Sequence, residues 1–373
     1  MIKKKIILDC DPGHDDAVAI MLAIANNEID LLGITCVGGN ATLENTKLNA
    51  LKICSLLNRE DIPIYAGADK PIVYDLVTAE HVHGKSGLDT DGDPITLDKN
   101  HKIQDLHAVD FIIKTCKDSD VPIYLCPTGP LTNIALSLKK DPSIKDKIKE
   151  IIFMGGAALC LGNITPSAEF NIYVDPHAAN IVLNSGIAIT MMGLDVTHKV
   201  NVNDSIINSI KSNNNKASIF FADLMNFYSR FHRDLYKSNE SPLHDPCVIA
   251  YLFNHKLFQG KKVHVQVEEK SELTRGETVV DWLGVKKLQP NCNVITEADS
   301  ETFFKILKNE LSKLKKGAPF LLYLYYKLDN RSWIFKQIWR VANVMRLVIC
   351  RLPFTFKKLV TDFIALVVYY PMS

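Results

Sequence analysis

Six short apolar runs alternate with segments of helical periodicity over the first half of this chain, and few folds accommodate that alternation. The runs are Lys5–Leu8, Leu31–Val37, Ile62–Ala66, Pro122–Cys126, Ile151–Met154 and Ala188–Met192. Between them, Asp15–Ala25, Glu44–Leu57, Leu106–Cys116, Leu131–Leu138 and Pro176–Leu183 place apolar residues at helical spacing. Strands that alternate with helices pair in parallel and are buried by helices on both faces. The predicted class is therefore α/β: an open, mostly parallel, Rossmann-like sheet flanked by helices. An additional helical segment, residues 213–236, carries an aromatic stripe of Phe220, Phe221, Phe227, Tyr228, Phe231 and Tyr236. A stripe at that spacing packs into a core, and its C-terminal part is also placed to cover a site near the sheet as a lid.

Five polar motifs directly follow strand candidates: Asp9–Asp16, Gly38-Gly39-Asn40, Pro127-Thr128-Gly129-Pro130, Gly155-Gly156 and Gly193-Leu194-Asp195. In open parallel sheets ligands bind outside the carboxyl ends of the strands, so these loops are expected on one rim. The first is the most telling. Asp9-Cys10-Asp11-Pro12-Gly13-His14-Asp15-Asp16 crowds four carboxylates into a strand-to-helix turn. One Asp serves as a helix cap; four around a rigid Pro-Gly repel one another unless a cation sits among them. Asp11 and Asp16 flank that turn, and His14 reads as structural. Asp245, in His244-Asp245-Pro246, is open to two readings, a cap for the helix that follows or a further ligand. Two or three carboxylates, a Thr128 carbonyl and waters suit the oxygen shell of a Ca²⁺-type cation, and no His/Cys set has zinc spacing. Asp15, Asn40, Asn163, Glu169 and Asn171 supply acceptors and amides suited to the hydroxyls of a sugar.

Charge is spread unevenly. From Gly317 onward eight Lys/Arg face two Asp/Glu; the remaining 35 basic and 40 acidic residues leave the body at −5 in a chain of net +1. A mildly acidic body argues against nucleic-acid binding. Nine scattered cysteines without a C-x-x-C pair suggest reduced thiols and a cytoplasmic location. The apolar run behind Lys3–Lys5 is too short for a signal peptide, and nothing through residue 316 is apolar enough to span a membrane. The apolar runs of the tail, 319–326 and 359–370, also fall short of the ~20 residues a spanning helix needs. A basic amphipathic stretch at 333–351 leaves a membrane-surface role open.

The motif D-x-D-P-G-x-D-D resembles that of the calcium-dependent nucleoside hydrolases of the inosine–uridine-preferring kind. Agreement continues in order through Val37–Asn40, His83-Gly84-Lys85-Ser86-Gly87, Pro127–Ala135, Met154-Gly155-Gly156, Ala168-Glu169-Phe170-Asn171 and His244-Asp245-Pro246. The resemblance divides the chain into a catalytic domain, residues 1–316, and an atypical tail, residues 317–373, outside the conserved fold. It implies hydrolysis of the N-glycosidic bond of ribonucleosides to ribose and free base. It further implies Asp11, Asp16, Asp245 and the Thr128 carbonyl as Ca²⁺ ligands, and Asp11 as the base toward a water on that ion. Asp15, Asn40, Asn163, Glu169 and Asn171 are implied as ribose holders, with Met154 beneath the sugar, Phe170 in the same substrate-binding stretch and His83 on the base side. His244 is implied as proton donor to the leaving base, and the assembly as a homodimer or homotetramer. Base contacts are expected in 226–236, where residues do not align one by one, so the preference between purine and pyrimidine stays open. Two rival readings remain. A Mg²⁺-dependent phosphatase would want more cations for phosphate than Lys85; a non-catalytic nucleoside or sugar binder would keep the pocket without turnover.

Overall fold

Ile6 and Leu8 point into one apolar core and Ile7 into another, because side chains alternate across a strand. The strand that carries them is thus central and covered on both faces. The computed structural model describes residues 3–92, 95–98 and 101–314, apart from the side chains at 232 and 234–236. The tail from Gly317, and the side chains at 232 and 234–236 within the stretch where base contacts are expected, lie outside the described residues.

The strands are β1 (Lys4–Cys10), β2 (Ile29–Cys36), β3 (Ile64–Ala66), β4 (Ile123–Pro127), β5 (Ile148–Met154), β6 (Ile189–Met192), β7 (Asn201–Val202), β8 (Ser241–Pro242), β9 (Phe258–Val267), β10 (Thr278–Asp281) and β11 (Cys292–Ala298). Nine of them form one sheet in the order β10-β9-β11-β6-β5-β4-β1-β2-β3, while β7 and β8 make a separate antiparallel pair. From β11 to β3 every neighbouring pair is parallel; β9 runs antiparallel to both β11 and β10. The six predicted runs are β1 to β6, with their ends shifted, and the α/β class holds. The strands β9 to β11 were not anticipated. Polar residues interrupt them (Gln259, Lys261 and Lys262 in β9), since this margin of the sheet is partly exposed and needs no continuous apolar run.

Helices His14–Ala25, Leu43–Leu56, Lys216–Tyr236, Pro246–Phe253 and Ser300–Lys313 bury their apolar sides in the first core; Ala108–Asp118, Thr132–Lys140 and Pro176–Leu183 bury theirs in the second. From β1 the chain moves outward through β2 to β3, then returns to lay β4 against the other side of β1. The order therefore reverses between β1 and β4, and a crevice opens at the carboxyl ends of these two strands. No helix among the described residues is long and apolar enough to cross a membrane.

Candidate active site

The crevice is braced by Asp9. Its Oδ1 accepts from Thr35 Oγ1 at 2.6 Å and from Asn133 Nδ2 at 2.8 Å, and its carbonyl accepts from Thr128 N at 2.8 Å. The buried carboxyl thus ties the end of β1 to β2 and to helix Thr132–Lys140, and the backbone carbonyl of the same residue holds the end of β4. Burial pushes the carboxyl up to about 7, against the lowering effect of those two side-chain bonds. Pro12-Gly13 then turns the chain into helix His14–Ala25. Asp16 closes the turn, its Oδ2 accepting from Gly13 N at 2.9 Å. The capping reading therefore holds for Asp16, and for one oxygen only.

The other carboxylates have no such explanation. Asp15, Asp16 and Asp245 bring ligand oxygens within 4.8 Å of one another, all three buried. Asp245 occupies the N-cap position of helix Pro246–Phe253, yet its side chain makes no capping bond and reaches Asp15 and Asp16 instead. The cap-only reading of Asp245 fails on that geometry. Asp11 stands beside the trio. Its Oδ2 accepts from Asn40 N at 2.6 Å, and its buried Oδ1 has no hydrogen-bond partner. Thr128 Oγ1 donates to Asp16 Oδ1 at 2.8 Å, and Asn40 Nδ2 donates to Asp16 Oδ2 at 3.1 Å. Gly39 makes room for this packing: a Cβ there would lie 2.0 Å from Asp11 Oδ2.

Burial pushes these groups up, and for Asp11, Asp15 and Asp245 the charge of neighbouring acids adds to it, while for Asp16 hydrogen bonds from Gly13 and Thr128 work against it. Asp11 and Asp245 rise well above the ordinary carboxylate range, Asp16 rises, and Asp15 reaches about 7. Buried like charges at this spacing either keep protons or share a cation. The described residues that line the adjoining cleft include no Lys or Arg to neutralise them. An all-oxygen donor set, with an orphaned lone pair on Asp11, fits a hard divalent ion. The lack of basic groups removes the footing of the phosphatase alternative.

The cleft encloses about 710 Å³ of empty space, its open mouth included. Asp15, Asn40, His83, Thr128, Met154, Asn163, Glu169, Phe170, Asn171, His244 and Asp245 all line it. Asp11 and Asp16 lie behind that lining, against Asn40 and Thr128. Several of the polar residues also hold the walls. Glu169 caps helix Phe170–Val174, accepting from Asn171 N and Ile172 N, and takes Gly156 N at 3.0 Å; burial pushes it up to about 7. Asn171 Nδ2 donates to the Thr128 carbonyl at 2.8 Å and lies 3.4 Å from Met154 Sδ. Asn163 Oδ1 accepts from Phe170 N at 2.9 Å, and His244 Nδ1 is 2.7 Å from Thr197 Oγ1.

Ala79, His81, Val82, Ile164 and His198 also line the cleft without having been singled out as site residues, and Tyr228 and Phe231 line it from the 226–236 stretch where base contacts are expected. Isolated histidines and aliphatics carry no motif, so only folding reveals them. Tyr228 belongs to the core and also borders the cleft, so both readings of the aromatic stripe apply to it. His14 is buried, stacks on His83 and Phe227, and is 2.7 Å from the Asp89 carbonyl through Nε2. It supports the wall from behind, in line with its structural reading.

Comparison with known proteins bears on this cleft. The family profile described as "Inosine-uridine preferring nucleoside hydrolase" matches residues 6–305. A pyrimidine-specific ribonucleoside hydrolase RihA from Shewanella woodyi is 45% identical over 309 residues, spanning 83% of this chain and 98% of that protein. RihA from Salmonella arizonae is 44% identical over 307 residues, 82% of this chain and 97% of that protein. Among solved structures, a purine-preferring ribonucleoside hydrolase from Gardnerella vaginalis superposes with a TM-score of 0.78 at 34% identity, covering 84% of this chain and all of that one. A plant nucleoside hydrolase, PpNRh1, gives a TM-score of 0.77 at 31% identity, over 83% of this chain and 99% of that one. A buried acid cluster at the sheet's reversal point, able to hold a metal ion, and likeness across the whole described fold lead to one assignment: this chain belongs to the inosine–uridine preferring nucleoside hydrolase family and is an enzyme that hydrolyses ribonucleosides to ribose and free base.

Proposed function

We propose that this enzyme acts preferentially on pyrimidine ribonucleosides and uses Ca²⁺. The preference is supported by likeness: identity is 45% to a pyrimidine-specific relative and 34% to a purine-preferring one. The metal reading is carried by one observation, the convergence of Asp15, Asp16 and Asp245 with Asp11 alongside. In this reading Asp11, Asp16, Asp245 and the Thr128 carbonyl hold the ion. When bound, Ca²⁺ orients a water and lowers its pKa.

The remaining chemistry belongs to the chain. Cleavage of a glycosidic bond passes through an oxocarbenium-like state, so positive charge develops on the ribose. Carboxylates fixed beside the ring stabilise that charge. Asp11 is the base: its orphaned Oδ1 is the oxygen free to take a proton. A placed base is typically worth about 10²–10⁴-fold. Asp15, Asn40, Asn163, Glu169 and Asn171 hold the sugar over Met154, with Phe170 in the same wall and His83 on the base side. His244 donates to the departing base. His244 Nδ1 lies 2.7 Å from Thr197 Oγ1, and the donor role needs the tautomer in which the Thr197 hydroxyl donates to Nδ1 and the ring proton is on Nε2. The reading extends to a homodimer or homotetramer, tested by light scattering. It also extends to a reducing cytoplasm, supported by free cysteines of which all but Cys160 are buried among the described residues.

Ribose release from uridine, cytidine, inosine and guanosine, with Ca²⁺ or with EDTA, tests the proposal. Expected are faster pyrimidine turnover, loss of activity in EDTA and its return with Ca²⁺. Equal or faster purine turnover overturns the preference, and chelator-resistant turnover overturns the metal. Asp11→Asn is expected to abolish turnover; near-full activity would remove Asp11 from the base role.

A further inference from the structure

We infer that Arg275 is a positioning residue, a staple between Tyr74 and Tyr173 that locks together the two loops walling the cleft. It lies in the connection between β9 and β10, remote in sequence from every motif of the site. Its guanidinium carbon is 4.2 Å from the centre of the Tyr74 ring and 4.0 Å from that of Tyr173. Its Nε is buried without a hydrogen-bond partner, and no ion pair to it occurs among the described residues. The guanidinium therefore meets both rings by cation–π contact. A planar, weakly hydrated guanidinium is suited to that and an ammonium is not.

Each tyrosine leads into one wall. Tyr173 is in helix Phe170–Val174, two residues after the run Glu169, Phe170 and Asn171. Tyr74 belongs to the loop that runs on to Ala79 and the short helix Glu80–His83, which carries His81 and His83. The two walls also meet in a small apolar cluster, Ala79 with Phe170 and Val174, and Ile72 N donates to Asp175 Oδ2 at 3.0 Å just past that helix. The β9–β10 connection grips both from behind. Tyr74 Oη donates to the Glu269 carbonyl at 2.6 Å, and Glu277 pairs with Ala168 in an isolated bridge. Gly276 has φ +83°, and a Cβ there would lie 2.6 Å from Tyr173 Cα, so the turn backbone abuts that helix directly. Arg275 thus couples the edge of the sheet to residues that touch substrate, without touching it.

The kinetic consequence rests on the nucleoside-hydrolase reading of the cleft. If the staple keeps both walls in their binding geometry, its loss lowers the fraction of molecules ready to bind. Apparent affinity then falls by that fraction. Arg275→Met is expected to raise KM for the preferred nucleoside about tenfold while kcat changes by less than about threefold. Pairing Arg275→Met with Tyr173→Leu is expected to raise KM no further than either change alone. Hydrogen–deuterium exchange supplies a readout independent of turnover. Amides in 68–83 and in 157–174 are expected to exchange faster in Arg275→Met, with β1, β4 and β5 unchanged. Arg275→Lys, which keeps the charge and loses the plane, is expected to show the same local loosening and serves if the Met variant fails to fold. Unchanged exchange in either loop, faster exchange throughout the sheet, or additive KM effects in the double variant would each overturn the staple. If the wild-type chain released no ribose from any nucleoside, the activity reading would fall, and the exchange experiment would still decide whether Arg275 locks the loops.

Discussion

Replacing Asp15 with Asn separates stability from function and so tests the acid cluster most sharply. Burial, with the charge of Asp16 behind it, pushes Asp15 from an ordinary 3.8 up to about 7. An unfolded chain releases that proton near 3.8, so between the two values the fold keeps a proton that the unfolded chain has lost. The penalty for ionising Asp15 is absent below about pH 4, grows through the window and is full above about pH 7. At about 1.4 kcal/mol per unit of pKa it comes to on the order of 4 kcal/mol. Asn removes the charge but also disturbs bonds shared with Asp245, so on the order of 2–4 kcal/mol of stabilisation is expected at pH 8 without metal. For a domain of this size that is about 4–8 °C in Tm. The assay is thermal unfolding of both proteins in EDTA at pH 4 and pH 8, repeated with Ca²⁺. Expected are near-equal Tm at pH 4, a higher Tm for Asp15→Asn at pH 8, and a Ca²⁺-driven gain in both proteins, because Asp15 holds ribose while Asp11, Asp16 and Asp245 hold the ion. At a hundredfold excess of ligand over Kd that gain is about 2.7 kcal/mol. Ribose release by the variant is expected to fall sharply. A lower Tm for the variant at pH 8 in EDTA, or an equal gain at both pH values, would refute the view that these carboxylates repel one another across an ion site.

Other outcomes follow from the same geometry. His244→Ala is expected to slow natural nucleosides by about 10²-fold or more and p-nitrophenyl riboside far less, because an activated leaving group needs no proton; equal slowing removes His244 from the donor role. Gly39→Ala would set a Cβ 2.0 Å from Asp11 Oδ2 and is expected to abolish turnover while far-UV circular dichroism stays native; full activity would show that Asp11 can move aside at no cost. Because Asp11, Asp15, Asp16 and Asp245 hold protons above the usual carboxylate range, Ca²⁺ has to displace them. Calorimetric titration in two buffers of different ionisation enthalpy is expected to show proton release, with affinity rising as the pH is raised; a pH-independent affinity contradicts it.

Local chemistry alone settled a good deal. Apolar runs of strand length alternating with helical stripes are a local pattern, and they specified β1 to β6 and their helices because a parallel sheet buried on both faces demands them. The acids of Asp9–Asp16 pointed to a cluster able to hold a cation, since like charges close along the chain need a counter-charge, and Asp15 and Asp16 belong to that cluster. What the sequence could not decide depends on residues far apart along the chain. Asp245 read equally well as a cap until folding set its carboxylate against Asp15 and Asp16. Asp9 read only as one of four crowded acids, and its bonds to Thr35 and Asn133 make it a brace. His81 and His198, and Arg275 between its two tyrosines, carry no pattern at all. Periodicity and charge crowding are written along the chain, whereas a contact between residues a hundred positions apart exists only once the sheet order has brought their strands side by side.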